Sequence, residues 1–230
     1  DFMQEYQACI EGKLAEIIKS GSSKTLPGSF DQLIAMYYGS PDFENLSPAT
    51  KTTYRGIIER FRNEYGKLSV KHMKREHVKK IIAKKRKTPS AANNLLRMIR
   101  MLMVHAMDAS MREDDPTYNI KTIKIKTDGF PPWSDDEVKQ FEDKHPIGSR
   151  ARLALALLLY TGQRRSDVVR MGWPDTNKAG YIKITQQKTK TKLEIPMHQE
   201  LKPILDRTKK DNITFIVTQF GKPFTAPGFG

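Results

Sequence analysis

The stretch Ala151-Arg152-Leu153-Ala154-Leu155-Ala156-Leu157-Leu158-Leu159-Tyr160-Thr161-Gly162-Gln163-Arg164-Arg165-Ser166-Asp167 decides how this chain is read. Its run to Tyr160 is almost wholly apolar, which predicts a buried core helix. Gly162 is a helix stop, and Ser166-Asp167 open another short helix. Two arginines therefore stand at a helix break. About twenty residues later, Gln187-Lys188-Thr189-Lys190 lies between two alternating runs, Tyr181-Ile182-Lys183-Ile184 and Leu193-Glu194-Ile195. These read as the strands of a hairpin. Together the two stretches place guanidinium and ammonium groups where a phosphodiester can be held and its leaving oxygen protonated.

Working outward, Ser134-Asp135-Asp136-Glu137 has the cap and the first-turn acids of a helix start. A helix around His198–Leu205 and a strand Phe215-Ile216-Val217 are expected after the hairpin, followed by the loop 223–230. Asp114 to Gly129 reads as an extended linker. Its Lys121–Lys126 alternation would also suit a strand, but the flanking prolines favour a linker. Before it, four helices are expected: one capped by Ser29 with Phe30, Leu33, Ile34 and Tyr37, one opened by Ser47-Pro48 and ended at Gly66, one from about Arg75, and one opened by Pro89-Ser90. A short helix over residues 1–20 carries Tyr6, Ile10, Leu14, Ile17 and Ile18. The expected divisions are an N-terminal helical extension (1–28), a four-helix, all-α unit (29–113), a linker (114–130) and a mixed α/β unit (131–230). A chain of 230 residues suits two domains.

Charge points to a polyanion. The chain holds 40 Lys+Arg against 26 Asp+Glu, a formal net charge of +14. Residues 51–100 hold 16 basic residues and only three acids, Glu59, Glu64 and Glu76, so nearly the whole excess sits in one fifth of the chain. A concentrated excess predicts a nucleic-acid partner where a uniform one would serve solubility alone. The single cysteine, Cys9, excludes an intramolecular disulfide and fits a reducing compartment. No run of about 18 apolar residues predicts a membrane span. The five histidines show no metal-ligand spacing, and His105 reads as a packed residue on an apolar helix.

These motifs resemble the tyrosine recombinases, or phage-integrase family. Thr161-Gly162-x-Arg164-x-Ser166-Asp167 is similar to that family's first arginine box, Lys188-Thr189 to its hairpin lysine, and Ile195-Pro196-Met197 to the strand end that follows. Ser47-Pro48-x-Thr50 with Tyr54-Arg55, and Ala91-Ala92-Asn93-Asn94 with Leu95 and Arg97, resemble its core-binding domain. The resemblance covers about residues 29–200 in order. It implies a multidomain α and α+β protein, with a four-helix, SAM-like core-binding domain and the N-terminal part of a mixed α/β catalytic domain with a small antiparallel sheet.

The resemblance also implies site-specific DNA recombination or integration through a 3′-phosphotyrosyl intermediate, without metal or other cofactor. Arg164 would contact non-bridging phosphate oxygens, Lys188 would act as general acid, and Asp167 would orient the segment. Lys190 and Lys192 lie close enough that a shift of two positions from Lys188 stays open. Lys51, Arg55, Asn93, Asn94, Arg97, Arg165, Thr189 and Lys190 are the candidate DNA contacts. The family's His-x-x-Arg box and tyrosine nucleophile would follow residue 217, and the chain holds neither there. As a fragment it is therefore expected to be catalytically incomplete and monomeric. The complete protein would work as a homotetramer on double-stranded DNA at recombination sites in a bacterial cytoplasm, away from membranes. The alternative is a truncated relative that occupies or regulates a recombination site without cleaving it. A third reading, a generic helical DNA-binding regulator, would make the Arg164 box accidental.

Overall fold

The computed structural model describes residues 25–229. The helix expected over residues 1–20, with Cys9, lies outside the described residues. The chain divides into two compact units between Asp128 and Gly129.

In the first unit, α1 (Phe30–Tyr38) starts where Ser29 Oγ accepts from Gln32 N. α2 (Pro41–Glu44) is a single turn that sequence periodicity is too short to reveal; Ser40 caps it and Pro41 opens it. α3 (Pro48–Tyr65) is capped by Ser47, whose Oγ accepts from Thr50 N. α4 (Arg75–Ala83) and α5 (Pro89–Asp108) follow. α5 is the hub and packs against α1, α3 and α4. Its residues Leu95, Leu96, Met98, Ile99, Leu102 and Met103 are buried. They recur at the three-to-four-residue spacing of one helix face. Phe30, Leu33, Ile34, Ile58, Phe61, Val78 and Ile82 complete the core. Gly66 is required by close approach, because a Cβ there would collide with Asp31 Oδ1 and Arg62 O.

The expected linker begins inside this unit. Arg112 is 6% exposed. Its guanidinium donates to Val70 O (2.9 Å), to Met73 O and to both Asp114 O and Asp114 Oδ1. Ile120 is buried in the same core. Arg75 donates to Asn119 O and Arg100 to Ile120 O. No strand forms over Lys121–Lys126. That alternation instead leaves Ile123 packed on the core while the lysines stay exposed.

In the second unit, α6 (Asp135–Lys144) opens with a capping box between Ser134 and Glu137. α7 (Arg150–Thr161) ends at Gly162, whose φ of 62° is the left-handed cap conformation that glycine adopts without a steric penalty. α8 (Arg165–Val168), a 3₁₀ turn (Trp173–Asp175), β1 (Tyr181–Thr185), β2 (Lys192–Pro196), α9 (Leu201–Asp206) and α10 (Ala226–Phe229) complete it. β1 and β2 pair antiparallel, with Ile182 opposite Ile195 and Ile184 opposite Leu193. These four side chains face the core that Leu153, Leu157, Leu201, Leu205 and Phe215 build.

Two expectations change here. α7 is apolar from Leu153 to Leu159 yet its buried residues are only Leu153, Ala156, Leu157 and Thr161, and Leu159 is 49% exposed. The expected strand 215–217 is replaced by two isolated bridges, Gly172 with Thr214 and Val217 with Pro223. Phe215 N donates to Met171 O and Trp173 N to Ile213 O, so the segment is pinned without running along a partner strand. That approach needs Gly172, since a Cβ there would meet the Ile213 carbonyl. Among the described residues no helix is long and apolar enough to cross a membrane.

Candidate functional site

The second unit builds its site at the break after α7. Arg164 is the N-cap residue of α8, and its carbonyl accepts from Asp167 N (2.8 Å) and Val168 N (3.0 Å). That backbone pairing leaves the Arg164 side chain exposed, with no ion pair or hydrogen bond to its guanidinium among the described residues. Arg165 is likewise exposed. Three residues on, Asp167 is wholly buried. Its Oδ1 accepts from the backbone N–H of Gln187 at 2.7 Å, while Arg170 Nη1 stands 3.9 Å away. Its Oδ2 is buried without a hydrogen-bond partner among the described residues.

Gln187 opens the turn between β1 and β2. Gln186 N donates to Thr191 O and Lys190 N to Gln186 O, closing the loop at its base. Lys188 is exposed at the tip, its ammonium unpaired among the described residues. Lys190 takes a φ of 59°, so the chain reverses just past Lys188. A second tie joins the two segments, because Gln186 Nε2 donates to Gln163 Oε1 at 2.7 Å. Gln163 immediately precedes Arg164, and Gln187 immediately precedes Lys188. Two contacts therefore link the arginine-bearing turn to the lysine-bearing hairpin. Thr189, expected to touch DNA, has its hydroxyl inside the hairpin: it donates to Gln186 Oε1 (2.6 Å) and meets Thr191 Oγ1 (3.1 Å).

In the first unit the basic residues separate into two kinds. Arg62 is paired with Asp31 at 2.7 Å, and this bond raises its pKa further. Lys84 reaches Tyr65 Oη (2.8 Å) and Glu64 (3.4 Å), and the hydroxyl contact first, then the carboxylate, holds its pKa up. Arg75 and Arg100 hold the 119–120 backbone. These four serve the fold. By contrast, Lys51, Arg55 and Arg97 have no carboxylate partner among the described residues, and they lean on aromatic rings. Arg55 lies 5.1 Å from the Phe43 centroid and 5.5 Å from that of Tyr38, Lys51 lies 6.0 Å from Phe43, and Arg97 lies 5.8 Å from Tyr54. Burial, then the hydrogen bond to Glu59, raises the Tyr38 pKa and keeps its phenol neutral. Flat guanidinium groups held on rings keep their charge outward at little entropic cost.

Asn93 is reassigned. Its Oδ1 accepts from Ile123 N (2.8 Å) and its Nδ2 donates to Ile123 O (2.9 Å), so the whole amide clasps the 114–130 segment rather than facing solvent. Asn94 stays exposed and lines a groove between α3, the end of α4 and the start of α5. Thr52, Thr53, Gly56, Arg60 and Lys85 share that groove, whose volume is about 470 Å³. Sequence reading passed over Thr52, Gly56 and Arg60. Their four-residue spacing on one face of α3 was the available signal. Gly56 leaves open space, with nothing within 4 Å of a Cβ built on it. Gly56→Ala should therefore stabilise the unit by about 0.5–1 kcal/mol through helix propensity alone, seen as a raised urea midpoint with an unchanged slope.

A family model described as the phage integrase family matches residues 135–225. The second unit is similar to that family over nearly its whole length. The solved structures extend the likeness to both units. A lambda integrase dimer bound to a COC′ core site superposes with a TM-score of 0.77 at 19% identity, over 87% of this chain and 77% of that one. A lambda integrase tetramer bound to a Holliday junction gives 0.77 at 19%, over 99% and 72%. The Tn1549 transposon integrase in complex with circular intermediate DNA gives 0.72 at 16%, over 88% and 75%. At these identities the likeness is one of fold. No curated protein sequence matches the chain.

Proposed function

We propose that this chain binds duplex DNA through its first unit and presents a scissile phosphodiester to Arg164 and Lys188, as part of a site-specific recombinase that works through a 3′-phosphotyrosyl link. The observation that carries this reading is the pair of ties, Asp167 to Gln187 N and Gln163 to Gln186. They bring two cations that are unpaired among the described residues, one planar and permanently charged, the other able to donate a proton, to adjoining segments of the unit that matches the phage integrase family.

The chemistry follows from those two groups. Attack of a tyrosine hydroxyl on phosphorus puts extra negative charge on the non-bridging oxygens. Arg164 meets that charge with parallel N–H donors. The 5′-oxygen leaves as a poor leaving group unless it is protonated, and Lys188 supplies that proton from the hairpin tip. The 3′-phosphotyrosyl link conserves the phosphodiester, so rejoining needs no nucleotide energy. Asp167 takes no part in charge stabilisation, and its buried carboxyl fixes the turn that carries Lys188.

The test is selection of duplexes from a random pool by this chain, followed by anisotropy titration of the winner across salt. A defined sequence should be enriched, and log K should fall linearly with log salt, by about 0.9 for each phosphate contacted. Arg97→Gln should remove one contact, reducing that slope by about 0.9 and weakening binding about eightfold at 0.1 M salt. A pool that returns unenriched would overturn the site-specific reading. A reading in which the chain occupies a site without cleaving predicts the same binding, whereas a generic DNA-binding regulator with an accidental Arg164 box separates in a longer polypeptide, where Arg164→Ala would leave every activity intact.

A further inference from the structure

We propose that Gln163 and Gln186 are positioning residues, forming a one-way hydrogen-bond relay that sets where the Lys188 hairpin stands relative to Arg164. The inference rests on the recombinase reading for its consequence, though the relay itself is a matter of geometry.

The relay has four links. Thr191 Oγ1 donates to Thr189 Oγ1 (3.1 Å), Thr189 Oγ1 to Gln186 Oε1 (2.6 Å), Gln186 Nε2 to Gln163 Oε1 (2.7 Å), and Gln163 Nε2 to the carbonyl of Thr161 (3.1 Å). Its direction is forced from one end. A backbone carbonyl only accepts, so Gln163 must turn its NH₂ toward Thr161 and its oxygen toward Gln186. Gln186 must then donate to Gln163 and present its own oxygen to Thr189. The anchor is firm, because Thr161 is buried and its hydroxyl donates to Leu157 O and accepts from Gln163 N (3.3 Å). Aligned bonds of this kind polarise one another, and the central Gln163–Gln186 link is partly buried, where water competes less. The relay thus runs from the end of α7, past the residue before Arg164, to the residue after Lys188. With the Asp167–Gln187 bond it holds the hairpin at two points. The rest of the tip, residues 187–191, is exposed and has little else to fix it.

Directionality makes the relay testable with an isosteric change. Gln186→Glu places oxygen against the oxygen of Gln163. Should Gln163 flip to meet it, its own oxygen then faces the Thr161 carbonyl, so the relay breaks at one link or the other. Thr189→Val removes only the far donor and should do less.

The first measurement needs no DNA. In the full chain with Cys9→Ser, spin labels at Leu159→Cys on α7 and Lys188→Cys at the tip report the hairpin's position. The distance distribution should be narrow with Gln186 present and should broaden or shift with Gln186→Glu, while the thermal midpoint changes little. An unchanged distribution overturns the relay. The second measurement is a double-mutant cycle on duplex affinity with Lys188 intact. Gln186→Glu should weaken binding several-fold beside Lys188 and add nothing in the Lys188→Ala background. Equal losses in both backgrounds would show a general structural effect and sink the positioning role. If Lys188→Ala itself leaves binding unchanged, the phosphate-contact reading fails, while the spin-label result still decides the relay.

Discussion

Arg112→Met should cost the first unit about 2–4 kcal/mol, a large loss for a single substitution. Arg112 is buried in a position where a hydrophobic residue would be unremarkable. What it does there is satisfy carbonyls: Val70 O, Met73 O and Asp114 O all accept from its guanidinium. Methionine fills much the same volume, so the cavity term is small. Met73 O would be left with no other donor among the described residues and Val70 O with only the N–H of Met73 (3.3 Å), while Asp114 lies at the surface; each buried group left short costs about 1–3 kcal/mol if water cannot reach it. The Asp114 carboxylate matters less, because that side chain is 79% exposed and can turn to solvent. Urea unfolding followed by far-ultraviolet circular dichroism checks this. A loss under about 1 kcal/mol would mean that water enters and replaces the guanidinium. Arg112→Lys should recover only part of the loss, since an ammonium is a point donor and cannot span Val70, Met73 and Asp114 at once.

Arg112 also shows what sequence reading could and could not reach. The helices of the first unit were legible because their signals are local: Ser29, Ser47-Pro48 and Pro89 mark starts, and the apolar residues of α5 repeat on one face. Arg112, Asn93 and Arg100 were not legible, because the partners that bury them, the backbones of Val70, Met73, Ile123 and Ile120, lie between 20 and 42 residues away and carry no residue-type signature. The same blindness placed a linker boundary at Asp114, although the chain stays folded on the first unit as far as Ile123. In the second unit the arginine box and the lysine hairpin stood out by residue type and order. The tie between Gln163 and Gln186, 23 residues apart, did not, since a glutamine beside an arginine reads as any polar residue. The apolar triplet 215–217 was read as a strand because local composition records β-propensity and burial but not whether a neighbouring strand runs alongside.

The second large effect concerns the identity of the acid. In a polypeptide carrying this chain together with the attacking tyrosine, Lys188→Ala should slow cleavage of ordinary DNA about 10²–10⁴-fold, the usual contribution of a positioned general acid. The same variant should cleave a duplex with sulfur at the 5′ bridging position at nearly the unaltered rate. A thiolate leaves without protonation, so a lysine acid would no longer be needed. Arg164→Ala should be slow on both substrates, because the phosphoryl oxygens still gain charge whichever atom departs. The hairpin register is decided by the same experiment. Lys190 and Lys192 are the competing candidates, and rescue by sulfur would follow whichever lysine is the acid. The geometry favours Lys188. Its neighbour Gln187 is held by a carboxyl group with no solvent exposure, so the backbone at 188 is fixed to the arginine turn. Lys190 sits beyond the reversal in a left-handed conformation, and Lys192 is already paired in β2 opposite Thr185. A proton donor must be placed to within a hydrogen bond of the departing oxygen, and of the three lysines Lys188 is the one that directly follows a residue whose N–H is held by the Asp167 carboxyl.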